Sequence, residues 1–225
     1  MHIIYQQTIV DPVSFQGIGL HSGKNTKIKI IPADENQGIV FKRTDLKENN
    51  IIFANFENVS SAKLCTTLQN KEGVKVSTVE HLLAALYIAE IDNAIVELDN
   101  EEIPIMDGSA KEFLEILKNA KIKKTNKKRK YLKILEDVEL VEGEKKISLE
   151  PCESSLKVSF QLKYNNKIIG KQKNSVDFQN DDLQDIYNSR TFCLFEDIEN
   201  IKKIGLAKGG SLENAIVVDQ EKILN

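Results

Sequence analysis

In the stretch VSTVEHLLAALY, residues 76–87, a carboxylic acid and an imidazole stand side by side as Glu80 and His81, ahead of a run of Leu and Ala. A carboxylate next to a metal-activated water is the arrangement a general base requires. Neutral imidazole is the form that binds metal, and the positive end of a helix disfavours its protonation. Successive helical residues point about 100° apart, yet both side chains could reach one cavity beyond the helix end. A zincin helix is excluded, because the residue four after His81 is Ala85. A second reading competes. Ser77 followed by Glu80 has the spacing of a capping box, and Val79, Leu82, Leu83 and Leu86 form one apolar helical face. The residues of this stretch alone leave both readings open.

Other stretches carry reactive groups. FQGIGLHSGK contains Gly17, Gly19 and Gly23 but opens no helix, which argues against a dinucleotide site. The glycines are expected to let a loop turn tightly and present His21, Ser22 and Lys24 at its tip. AKGGS, Ala207 to Ser211, reads either as an anion-binding nest beside Lys208 or as a helix C-terminal turn. NEEIPIMDGSA gathers Glu101, Glu102 and Asp107, either as a strand-to-helix turn or as one wall of a site. The only other histidine is His2 in the first strand, and Cys65, Cys152 and Cys193 share no paired spacing. An odd cysteine count fits reduced thiols and a cytoplasmic location.

The elements that must hold these groups follow from the pattern. HIIYQQTIV, TKIKIIP, GIVFKR and IIFANF read as strands separated by turn residues. The helix from Ser77 leads into the strand DNAIVELDN. A second helix from Ser109, opened by another capping box to Glu112, buries Phe113, Leu114 and Leu117. Residues 121–130, KIKKTNKKRK, hold seven Lys or Arg in ten positions. With no aromatic interleaved they read as a solvated basic linker, and a polyanion-binding patch is the rival reading. Strands resume in YLKILEDVELVEG, KKISLEP and LKVSFQLKY, then a helical piece at DDLQDIY, the strand RTFCLF and a second helical piece at EDIENIKKIG. The expected fold is therefore α+β, with a first domain over 1–120, a linker over 121–130 and a second domain over 131–225. Composition at 41% hydrophobic and 29% charged residues is that of a soluble globular chain, and the net charge of −3 gives no pull toward nucleic acid. No apolar run is long enough to span a membrane, and no secretory signal is visible.

Taken in order, GIGLHSGK, LCTTL, STVEHLLAAL, IDNAIVELDNEEIPIMDGSA, SRTFCLFEDIE, GLAKGGSLENAIVVD and the closing ILN resemble the UDP-3-O-acyl-N-acetylglucosamine deacetylases (LpxC), the zinc amidases of lipid A synthesis in Gram-negative bacteria. The resemblance runs from the first strand to Asn225. It implies two similar domains, each a β-sheet packed on two helices, with the site between them. It implies His81 as the first zinc ligand, Glu80 as general base and Thr191 as donor to the developing oxyanion. Phe192 would line the acyl-chain passage. Leu20, Cys65, Lys208, Gly209, Gly210 and Ser211 would lie by the pocket, with His21 and Asp107 supporting it. The substrate implied is a UDP-linked acylated glucosamine, handled by a monomer that neither binds nucleic acid nor inserts stably in the membrane.

A catalytic zinc usually takes three protein ligands, and His81 has no convincing companion in this sequence. The family draws its other ligands, and a general-acid histidine, from beyond the position matching Asn225. The sequence therefore reads as C-terminally truncated, with an incomplete second domain and an inactive isolated chain. Zinc is the expected metal and iron the alternative. The rival from another class is a non-catalytic remnant that retains a sugar-nucleotide or acyl-binding cleft.

Overall fold

The computed structural model describes residues 4–153 and 156–225, so His2 lies outside the described residues. The first part of the chain runs β1 (Tyr5–Ile9), β2 (Val13–Ile18), β3 (Asn25–Pro32), β4 (Ile39–Arg43), β5 (Ile51–Phe53), β6 (Val59–Ser61), β7 (Thr67–Gln69), β8 (Lys75–Ser77), α1 (Glu80–Ile88), β9 (Ala94–Leu98) and α2 (Lys111–Lys118). Five of these strands form one sheet in the order β2-β3-β9-β4-β5, and β6-β7-β8 form a smaller one. Only β4 and β9 pair in parallel within the larger sheet. A parallel pair needs a long crossover, and the segment that makes it includes α1.

Period-two alternation decides which sheet face is covered. Thr26, Ile28 and Ile30 of β3 are buried, as are Ala94, Val96 and Leu98 of β9. Leu82, Ala85 and Leu86 of α1 share a core with them, together with Phe113, Leu114 and Leu117 of α2. Phe15 from β2 meets Phe113 edge-on, with ring centroids 5.6 Å apart, a favoured aromatic geometry. The apolar faces read for both helices are thus the faces that pack.

Residues 121–130 differ from the expected linker. Ile122–Lys128 form β10, antiparallel to β1 with Gln7 opposite Lys124 and Ile9 opposite Ile122. Arg129 then pairs with Asp92 at 2.7 Å. Lysines on an edge strand keep further strands from adding to it, so the charge run is compatible with a ladder that composition alone does not reveal.

The second part holds β11 (Val138–Glu142), β12 (Lys145–Leu149), β13 (Lys157–Lys163), β14 (Lys171–Asp177), α3 (Gln184–Asn188), β15 (Phe192–Leu194), α4 (Ile198–Lys203) and β16 (Ile216–Val218). Its strands lie in three two-stranded pieces, β11-β12, β13-β14 and the parallel β15-β16. The strand read across 131–143 is confined to Val138–Glu142, and β14 was not anticipated, because KQKNSVD is too polar to register as a strand. The architecture is α+β throughout.

Candidate functional site

α1 begins at Glu80, with Val79 at the N-cap and no side-chain cap bond. The expected capping box is not formed. Ser77 stays in β8, where its amide donates to the Glu101 carbonyl at 2.9 Å and its hydroxyl reaches the same oxygen at 3.2 Å. The turn into the helix is made instead by Thr78, at φ +57°, a conformation that β-branched residues rarely adopt. Glu80 is left free of capping, and one of its carboxylate oxygens accepts the Thr66 amide at 3.1 Å.

His81 is half-buried, and burial pushes its pKa below the ordinary imidazole value, against the opposing pull of the Glu80 and Asp107 carboxylates. Desolvation thus favours the neutral ring. The influence of Asp107 also places that carboxylate near the imidazole.

Asp107 is fixed by a tight turn in which Met106 has φ +55° and Gly108 φ +89°. Its Oδ1 accepts the Ser109 amide at 2.9 Å and the Ser109 hydroxyl at 2.7 Å, and the Ser109 oxygen accepts the Lys111 amide at 3.1 Å. α2 is therefore capped by an Asp107–Ser109 relay instead of a Ser109–Glu112 box, since Ala110 occupies the N-cap.

The same turn docks onto the second part of the chain. The Thr191 amide donates to the Gly108 carbonyl at 2.8 Å, Arg190 Nε donates to the Asp107 carbonyl at 2.6 Å, and the Ala110 amide donates to the Tyr187 carbonyl at 3.1 Å. Gly108 has no room for a side chain, because a Cβ there would stand 2.3 Å from the Asn214 carbonyl oxygen and 3.4 Å from Thr191 Cγ2. Thr191 is thus brought beside Asp107, and Asp107 beside His81.

A second docking pair closes another side. Gly209 donates its amide to the Leu20 carbonyl at 3.0 Å, and Lys208 donates to the His21 carbonyl at 3.3 Å. The Ala207 amide lies 3.4 Å from His21 Nδ1, and the Gly210 and Ser211 amides go to the Ala207 carbonyl and to Asn214 Oδ1. All five amides of AKGGS are therefore committed to protein acceptors, which rules out an open anion nest. A side chain on Gly210 would come within 3.7 Å of Leu20 Cδ1, so Leu20 and the 207–211 loop face each other.

His21 is not displayed at a loop tip, since only 8% of it is exposed. Its pKa is raised, chiefly by the neighbouring Cys65 thiol, whose influence outweighs that of burial. Burial alone would raise the Cys65 pKa, but His21 and Thr67 bring it below the usual thiol value. Phe192, next to Thr191, is partly exposed and packs edge-on to Tyr164 with centroids 5.6 Å apart.

Glu80, His81, Asp107, Thr191, Cys65 and His21 are thus linked through direct contacts and short chain connections. Leu20 and Gly209 to Ser211 line the neighbouring loop pair. Arg190 and Asn214 gave no sequence signal, because Arg190 acts by bonding the Asp107 carbonyl across the interface between the two parts and Asn214 by packing its own carbonyl there against Gly108. The Asp-Gly dipeptide did carry a turn signal.

A conserved-domain comparison assigns residues 6–225 to the LpxC family, described as UDP-3-O-acyl N-acetylglycosamine deacetylase. The chain belongs to this metal-dependent amidase family. Among similar proteins named UDP-3-O-acyl-N-acetylglucosamine deacetylase, that of Shewanella baltica is 42% identical over 99% of this chain and 74% of its own length. The Phenylobacterium zucineum protein is 39% identical over 99% of this chain and 76% of its own length. The Actinobacillus pleuropneumoniae protein is 40% identical with coverage of 99% and 74%.

Proposed function

We propose that this chain carries out the reaction its relatives are named for, hydrolysis of the acetamide of a UDP-linked 3-O-acyl-N-acetylglucosamine on the route to lipid A. The observation that carries the reading is the convergence of Glu80 and His81, at the start of α1, with Asp107 and with Thr191 from the second part of the chain. In this proposal the site lies between a first unit over 1–120 and a second over 131–225. Glu80 takes the proton of the water that attacks the amide carbonyl. The Thr191 hydroxyl donates to the oxygen on which negative charge develops. The C–N bond then breaks and the departing amine takes up a proton. Leu20, Cys65, Phe192, Lys208 and the 209–211 loop border the substrate.

The metal has a narrower basis. Among the described residues no group of three His, Cys, Asp or Glu side chains stands close enough to hold an ion, whereas a catalytic zinc takes three protein ligands. These residues do not make a metal site by themselves, so no step is drawn through one. His81 enters as a neutral imidazole that would supply one ligand to zinc, or to iron.

Acetate release from the UDP-linked substrate tests the proposal. Glu80→Gln is expected to lower kcat by about 10²–10⁴-fold and Thr191→Val by about 10²–10³-fold, each with KM little changed. An unchanged kcat in Glu80→Gln would remove Glu80 from the mechanism. The lack of a three-donor group among the described residues favours a second reading, a cleft that binds the sugar nucleotide without chemistry. Substrate binding with no acetate released by the wild-type chain would establish it.

Among the described residues no helix is long and apolar enough to cross a membrane.

A further inference from the structure

Glu102 is buried to 1% exposure and is the one acidic side chain among the largest fully buried residues of the described structure. Its Oε1 accepts the His21 amide at 2.8 Å and the Thr78 hydroxyl at 2.9 Å, and its Oε2 accepts the Ser22 amide at 2.7 Å. A carboxylate out of water is tolerated only when donors replace its hydration, and here three donors do so from two separate segments. One is the 19–24 loop, which also carries Lys208 and Gly209 through backbone bonds. The other is Thr78, the left-handed residue that turns the chain from β8 into α1.

The backbone frames this contact closely. Ser77 donates to the Glu101 carbonyl at 2.9 Å and accepts from the Ile103 amide at 3.0 Å, so residue 102 is held opposite the strand end. Gly19 leaves the space the carboxylate occupies, since a Cβ there would lie 2.4 Å from Glu102 Oε2. A strained β-branched residue persists only when its surroundings over-determine it, and the Thr78 hydroxyl bond to Glu102 is the contact that does so.

We propose that Glu102 is a positioning residue that holds Thr78 in its left-handed turn, and so sets where α1 presents Glu80 and His81 relative to the 19–24 and 207–211 loops. The functional meaning rests on the reading that Glu80 and His81 carry the chemistry. Acetate release in Glu80→Gln tests that reading, and the experiment below tests the positioning independently of it.

The test is amide hydrogen exchange on the full chain. His21 and Ser22 report the carboxylate itself. Leu83, whose amide donates to the Val79 carbonyl at 2.9 Å, reports the first turn of α1, and Val96 in the central sheet is the reference. Glu102→Gln presents an amide to three donors and is expected to speed exchange at His21, Ser22 and Leu83 by about ten- to hundredfold relative to Val96. Adding Thr78→Gly, which reaches this φ unaided, is expected to restore protection at Leu83 but not at His21 or Ser22. Should Glu102→Gln not fold, Gly19→Ala displaces the same carboxylate and is read by the same pattern. Unchanged exchange at Leu83, equal acceleration at Leu83 and Val96, or no rescue by Thr78→Gly would each overturn the proposal.

Discussion

Replacing Gly108 with Ala adds one methyl group at the contact between the two parts of the chain. At φ +89° any L side chain is strained, and the cost of left-handed backbone is roughly 1–2 kcal/mol. The new Cβ would also lie 2.3 Å from the Asn214 carbonyl oxygen. That neighbour is backbone and cannot swing aside, so an overpacking cost of about 1–3 kcal/mol adds to the first. The expected destabilisation is about 2–5 kcal/mol, with loss of the bond from the Thr191 amide to the Gly108 carbonyl. Gly38→Ala is the control, because Gly38 has φ +72° with nothing within 4 Å of its Cβ position. It carries the backbone cost alone. Urea unfolding of both variants, with exchange at the Thr191 amide, separates the two contributions. Equal stability losses in Gly108→Ala and Gly38→Ala would refute the claim that close packing against Asn214 locks this interface.

Gly209→Ala would place a Cβ 2.3 Å from the Gly19 carbonyl oxygen, and is expected to open the 19–24 and 207–211 loop pair, seen as faster exchange at the Gly209 amide with little change at Val96. Because the Cys65 pKa is lowered and burial raises that of Cys193, iodoacetamide should alkylate Cys65 at lower pH than Cys193. His21→Gln should move the Cys65 profile upward, as followed by mass spectrometry. The Arg43 guanidinium grips Asp45 at 2.8 and 2.6 Å and holds its carboxyl below the usual range. A depressed carboxyl contributes stability above its unfolded pKa and loses it as pH falls through the folded one. Asp45→Asn should therefore cost about 0.5–1 kcal/mol at neutral pH, given its partial exposure, and the difference from wild type should vanish in acid unfolding titrations below that folded pKa.

Local pattern was enough to read the strands β3, β4, β5 and β9, the two helices of the first part and the residues they bury, because period-two and period-3.6 alternation reports directly which side chains leave water. Motif order likewise identified the family and put Glu80, His81 and Thr191 forward. Spacing misled where a local bond competed with a distant one. Ser77 and Glu80 have capping-box spacing, but Ser77 is held by the Glu101 carbonyl and Glu80 receives the Thr66 amide. The lysine-rich 122–128 segment looked like linker because its charge gave no sign that β1 would pair with it. His21 looked like a loop-tip residue because nothing nearby in sequence announces that residues 65, 102 and 207 close over it. By itself, then, the sequence determined most elements of the first part and their core faces, and named candidates for the reactive side chains. The tertiary structure decided their company: which carboxylate is buried under which loop, which amides are committed to protein acceptors, and that the Thr191 amide meets the Gly108 carbonyl. Those outcomes depend on hydrogen bonds between residues some 80 positions apart in the chain, such as that from His21 to Glu102, and no local period encodes such a pairing.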